Sequence, residues 1–183
     1  MKTLISLVLI VILSACSASK IDQYSSMLTN TTVFSVDKTL SAKAPIGWFS
    51  AVENESNSTD LWLVENDFNA SMSLFKINLD QKTNTKVQVE GRKIVIDLIK
   101  TIKKAENNSK IIYLNGITDF SIYGRDYSSF MYKDQDENFV RTVVFFHGSH
   151  FYDFSLVIKK STISQDLLQN YFDKQDAVLF SLK

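Results

Sequence analysis

Three small groups of side chains in this sequence have types and spacings that could do chemistry. Cys16 is the single cysteine, and it follows directly behind an apolar run. His147 and His150 are the two histidines, in H-x-x-H spacing, with Asp153 three positions further on. Such a pair can touch a metal, but two ligands do not make a tight site, and Asp153 would have to be the third. The plainer reading is two side chains flanking a turn, close enough to sense pH together. Asp134-Gln135-Asp136-Glu137-Asn138 has the D-x-D-x-N opening of a calcium loop. Phe139 stands where that loop needs glycine for its sharp turn, and Phe145 stands where it needs the closing glutamate. A solvated hairpin loop is expected there instead. No G-x-S-x-G, H-E-x-x-H, Walker or dinucleotide-binding glycine pattern occurs. The expectation is therefore no catalytic residue, no metal site and no cofactor, with the proviso that carboxylate pairs converge only in the fold.

Aromatic side chains are the remaining lead. Phe120, Tyr123, Tyr127, Phe130, Tyr132, Phe145, Phe146, Phe151, Tyr152 and Phe154 crowd the second half of the chain. They could line a pocket for an apolar ligand or a partner's side chain. The alternative is sheet core with cross-strand aromatic pairs. Asn-x-Ser/Thr matches such as Asn57-Ser58-Thr59 read as chance on a surface rich in Asn and Ser.

The N-terminus gives Cys16 its context. Met1-Lys2-Thr3 carries one positive charge, and Leu4 to Leu13 is apolar except for Ser6. A bilayer-spanning helix needs about 20 apolar residues, so this run is too short to be a permanent span. A charged start with an apolar centre of this length reads as a secretory signal peptide, residues 1–15. Leu13-Ser14-Ala15-Cys16 resembles the bacterial lipobox. That resemblance implies a thioether from Cys16 to diacylglycerol, cleavage before Cys16 and acylation of the new amino group. One acyl chain gives marginal binding, with K on the order of 10⁴ M⁻¹, whereas two or three on one residue hold lastingly. Ser17 is not the Asp of the enteric inner-membrane retention signal, so an outer-membrane, periplasm-facing location is expected.

Composition narrows the partners. Cleavage leaves 168 residues, enough for one domain with a core. Those residues hold 19 basic and 20 acidic side chains, since only Lys2 is lost. That balance argues against nucleic acid as a partner and gives no reason to expect attraction to anionic lipid. With Cys16 lipidated, no disulfide can form, so stability must come from packing.

Periodicity then places the elements. Residues 16–32 are expected to form a lipidated polar tether, although Ile21, Tyr24, Met27 and Leu28 have the spacing of a short docked helix. A single domain is expected over 33–183. Phe34, Val36 and Leu40 mark early strand material, and Ala44 to Trp48 is a turn set by Pro45 and Gly47. Strands are expected at Trp48–Val52, Leu61–Val64 and Ala70–Leu79, around a polar loop from Glu53 to Asp60. Arg92–Ala105 carries Ile94, Leu98 and Ile102, joined by Val95 and Ile99, and reads as an amphipathic helix. Lys93, Asp97, Lys100, Lys103 and Lys104 fall largely on its other side. Strands follow at Ile111–Leu114, Thr118–Tyr123 and Asp126–Tyr132, then a hairpin of Phe139–His147 with Phe151–Lys159. Ser164 reads as a helix N-cap before Leu167, Leu168, Tyr171 and Phe172, with a separate helical piece at Asp176–Leu182.

This order, with certain words in it, resembles the PsbP/DcrB-like group. The words are Ala44-Pro45-Ile46-Gly47-Trp48, Gly124-Arg125-Asp126-Tyr127, the run Arg141 to Gly148, Tyr152-Asp153-Phe154 and Leu179 to Lys183. The resemblance implies an α+β fold, an antiparallel sheet flanked by helices as an α/β/α sandwich, in the order strands, helix, strands, helix. No catalytic residue carries over with it. The expected function is a non-enzymatic binding or accessory module on the envelope, held to the membrane by lipid on Cys16, with an envelope protein as partner. A hydrolase with a carboxylate site and a lipid or small-molecule carrier are the alternatives.

Overall fold

The computed structural model describes residues 20–51 and 59–183. The signal segment, Cys16 and most of the loop from Glu53 to Asp60, with Val52 and Asn57, lie outside the described residues.

The chain runs through a helical segment at 20–26 (α1), then β1 (Leu28–Phe34), β2 (Ser41–Pro45), β3 (Trp48–Ser50), β4 (Leu61–Glu65) and β5 (Ala70–Ile77). Two helices follow, α2 (Gln81–Glu90) and α3 (Lys93–Glu106). The second half is β6 (Ile112–Tyr113), β7 (Thr118–Ile122), β8 (Arg125–Lys133), β9 (Phe139–His147), β10 (His150–Ile158) and α4 (Gln165–Ser181). One sheet has the order β3-β4-β5-β10-β9-β8, and both β6 and β7 pair with the outer edge of β8. All of its pairings are antiparallel. β1 and β2 form a separate two-stranded ribbon.

The alternation of β9 shows why the sheet is covered twice. Val143 and Phe145 join Phe154, Leu156 and the Val178 and Leu179 side chains of α4 in one core. Val144 turns the other way and joins Val95, Ile96 and Ile99 of α3. A strand side chain on each face needs its own apolar cover, so α3 and α4 close opposite faces. Burying an aliphatic side chain is worth roughly 1.5–3 kcal/mol, so Val95, Ile96 and Ile99 contribute much of what docks α3. The result is the expected antiparallel sheet sandwiched by helices, an α+β fold.

The structure differs from the sequence-based expectation in several places. Val36 and Leu40, expected as strand material, lie in the connection between β1 and β2, and the strand expected at Trp48–Val52 ends at Ser50. α2 was not expected; Asp80 caps it by accepting from the Thr83 N–H, and Gly91 ends it. The described part of the expected tether, residues 20–32, takes the docked alternative. Tyr24 is buried against Phe180, and β1 pairs with β2 from Leu28 onward, so packed structure starts ahead of Val33. The two C-terminal helical pieces are one helix, capped at Ser164, whose hydroxyl accepts from the Leu167 N–H. Gln175 explains the continuity. Fully buried at mid-helix, it donates to the carbonyls of Arg141 and Phe154 and accepts from the Arg141 guanidinium.

Candidate functional site

The side chains of greatest chemical interest meet beneath α3. Strand β10 directs Asp153 and Ser155 at this helix, and β9 directs Thr142 at it. Lys103 Nζ lies 2.9 Å from Asp153 Oδ2, and the two side chains are 10% and 8% exposed. Ser155 Oγ donates to Asp153 Oδ1 at 2.7 Å, and the Thr142 and Ser155 hydroxyls share a bond of 2.9 Å. Lys103 also stands 3.5 Å from Glu106 and over the ring of Phe75. Burial disfavours the charge on Lys103, but Asp153 and Glu106 outweigh it and hold the ammonium above its ordinary pKa. The sequence placed Lys103 on the solvent side of the helix. It is buried because Asp153, fifty residues away in sequence, supplies a counter-charge under the helix.

This seam is the floor of a groove. A recess of about 250 Å³ is lined by Phe75, Ile77, Leu98, Ile102 and Glu106 besides the ion pair. A second, of about 210 Å³, shares Ile77 and Asn78 and continues to Phe146, His150 and Phe151. Ile102 and Phe146 are 42% and 55% exposed, so the rim offers apolar surface to solvent. The floor offers no reactive group. The Lys103 nitrogen is held protonated, and both Asp153 oxygens have partners. The Ser155 and Thr142 hydroxyls are buried under the helix and bonded to each other.

The remaining candidates fall as follows. His147 and His150 are paired across the β9–β10 turn. His150 Nδ1 bonds Ser149 Oγ at 3.0 Å, and burial, aided by the Arg125 charge, pushes His147 below its ordinary pKa. Asp153 does not join them, because Lys103 holds it under α3. Among the described residues no group of three or more His, Cys, Asp or Glu could hold a metal ion. Asp134 folds its own loop: it accepts from the Asp136 and Asn138 N–H groups and from the Asn138 amide. Tyr127, Phe130, Tyr132, Phe145, Tyr152 and Phe154 are core residues divided between the two faces, so the aromatic group lines no common pocket. Phe120 and Phe151 are half-buried, while Tyr123 and Phe146 stand exposed.

Two acids that the sequence could not pair do come near one another. Asp37 is held well below the usual carboxylate range by bonds from Thr39 and Ser35, while burial pushes Asp60 up. Opposed shifts can mark an acid–base couple. Here both carboxylates close local backbone: Asp37 accepts from the Thr39 N–H, and Asp60 from the Lys76 N–H.

No family model matches the sequence, and no curated protein is similar to it. Among solved structures, the chain is similar to cyanobacterial PsbP (CyanoP) from Synechocystis sp. PCC 6803. That likeness has 14% identity and a TM-score of 0.56, over 84% of this chain and 91% of that one. LpqN, involved in cell envelope biogenesis of Mycobacterium tuberculosis, aligns at 14% identity and a TM-score of 0.46, over 84% of this chain and 88% of LpqN. A protein from Bacteroides thetaiotaomicron aligns at 9% identity and a TM-score of 0.39, over 83% of this chain but 47% of that one. At these identities the likeness concerns architecture: the chain has a PsbP-like α+β fold.

Proposed function

We propose that this protein is an envelope lipoprotein, acylated at Cys16 and facing the periplasm from the outer membrane. Its PsbP-like domain works as a non-enzymatic binding or accessory module, and the groove beneath α3 receives an apolar part of an envelope protein. The observation that carries the binding role is the groove itself. Exposed apolar side chains surround a floor whose Lys103 ammonium is already engaged by Asp153 and Glu106, a surface suited to contact and not to bond-making. The anchor reading is supported by the lipobox-like Leu13-Ser14-Ala15-Cys16 behind a short apolar run. No helix among the described residues is long and apolar enough to cross a membrane.

Two experiments test this reading. Radiolabelled palmitate should enter the wild-type chain, and Cys16→Ala should leave an unlabelled, uncleaved precursor. Labelled, mature Cys16→Ala protein would overturn the anchor. A photo-crosslinking residue at Ile102, on the groove rim, should give one discrete adduct in intact cells, whereas the same residue at exposed Lys104 should not. Equal labelling from both positions, or none from Ile102, would overturn the groove as the binding surface.

A further inference from the structure

At the other helical layer, two joined recesses of about 430 and 270 Å³ share Ile21, Tyr123 and Phe180. Their lining carries the cations Lys20, Lys43, Arg125 and Lys183 and no acidic side chain. The chain as a whole has 20 basic and 20 acidic residues, so its balance conceals a recess lined by cations. The acids near it are Asp22 on α1, Asp126 on β8, and Asp173 and Asp176 on α4, which act on Tyr24 from beside the recess. None of the four lines a recess: Asp126 accepts from Ser121 Oγ, and Asp176, which also faces Lys20, is held by Arg141 at 2.7 Å.

Tyr123 stands at the centre of this patch, 79% exposed. It is the first residue of the two-residue β7–β8 turn, since Ile122 pairs with Arg125. Tyr123 and Gly124 have φ of 51° and 76°, as a turn with both central residues left-handed requires. Asn or Gly would sit at the first position without strain, whereas a bulky side chain is disfavoured there. The strained turn holds the tyrosine ring out into solvent, edge-on to Phe180 at 5.9 Å. An exposed amphipathic ring amid lysine and arginine is the composition of a membrane–water interface.

Chain length says which surface is at hand. Three residues separate Cys16 from Lys20, and the four steps of extended chain reach at most about 14 Å. Lipid on Cys16 therefore brings the recess beside α1 within headgroup range of the bilayer. We infer that the end of the domain bearing Tyr123, Lys20, Lys43 and Arg125 lies against anionic phospholipid headgroups of the anchoring leaflet, setting the orientation of the tethered domain. This rests on the reading of Cys16 as the acylated residue.

The test supplies the anchor chemically, so it does not depend on whether cells acylate Cys16. The chain 16–183, which contains the whole described fold, is coupled through the Cys16 thiol to a maleimide phospholipid in vesicles. Amide exchange at Ser121–Arg125 and residues 20–25 should slow on phosphatidylcholine–phosphatidylglycerol vesicles relative to phosphatidylcholine alone. A basic residue near an anionic surface is worth about fivefold in partition, so Lys20→Gln with Lys43→Gln should weaken that protection by about 25-fold. Exchange in β9 should not change, which controls for folding. Equal protection on both vesicle types, no protection, or insensitivity to the lysine pair would overturn the inference. So would protection that tracks protein density on neutral vesicles, which would assign the patch to a second copy of the chain. Failure of palmitate labelling would instead remove the anchor reading alone.

Discussion

Replacing Lys103 by Met tests how the seam beneath α3 holds the helix. Met keeps most of the aliphatic stem against Phe75 and removes only the charge. Asp153 would then be 5% exposed with one remaining partner, Ser155. Breaking a buried ion pair by removing one member costs about 3–5 kcal/mol, because the other charge is left uncompensated. Asp153→Asn should cost about 1 kcal/mol less than that, since Glu106, at 3.5 Å and half exposed, still faces Lys103. The double variant Lys103→Met with Asp153→Leu should be more stable than either single variant, giving a coupling of at least about 2 kcal/mol. Urea unfolding of the mature chain, followed by circular dichroism, measures all four corners of this cycle. If both single variants lose less than about 1 kcal/mol, water reaches the pair, and the account of a closed seam is refuted.

Three further outcomes are expected. Gln175→Leu should cost about 2 kcal/mol in the same assay, because the buried carbonyls of Arg141 and Phe154 lose their donor. Stability should fall on the alkaline side: Tyr24 is pushed up to about 12, burial raises Tyr132 and Tyr171, and Lys103 is raised by Asp153 and Glu106. Folded-state values above the unfolded ones give stability that is complete below about pH 10 and lost as pH rises through the folded values. Most of the tyrosinate absorbance should therefore appear together with the loss of helical ellipticity above about pH 10; titration of all seven tyrosines in an intact fold would contradict this. Asp134→Ala should destabilise the β8–β9 hairpin by about 1 kcal/mol, because its oxygens hold the Asp136 and Asn138 amides. Added calcium should not change the wild-type melting temperature, and a calcium-dependent rise would restore the calcium-loop reading.

The parts of the fold legible in the sequence were those with a local pattern. Strand β9 is Phe139–His147 as expected, because turn residues bound it on both sides and apolar residues occupy both faces. Helix α3 announces itself by Val95, Ile99 and their neighbours at three- and four-residue steps. Helix α2 hides because Gln81–Glu90 is polar, carries β-branched Thr83, Thr85 and Val87, and shows no apolar stripe. Its signals were the two ends, Asp80 as N-cap and Gly91 just past the last turn with φ of 79°. α1 and β1 were obscure because one buried side chain each, Tyr24 and Val33, anchors otherwise polar sequence.

The site was less legible than the fold, for a different reason. Lys103 and Asp153 stand on separate elements, and each alone reads as a solvated charge. Only the register of β10 between β5 and β9 sets Asp153 beneath the helix. The cationic patch at Tyr123 was invisible for the same reason, since Lys20, Lys43, Arg125 and Lys183 span the whole chain. The two histidines, the feature most visible as chemistry, turned out to flank a turn.

The unequal covering of the two sheet faces has a dynamic consequence. Among the described residues, 24 buried apolar residues cluster on the α4 side, around buried Gln175 and Arg141; on the α3 side seven do, beside Thr142, Asp153 and Ser155. Opening one layer exposes only the surface that layer covers, so the free energy of sub-global opening differs between the two. The α2–α3 layer, with the smaller apolar cluster, is therefore the one expected to open at lower free energy, with the sheet and α4 still intact. Amide exchange faster in α3 than in α4 would show it, and a bulky guest could then widen the groove without unfolding the protein.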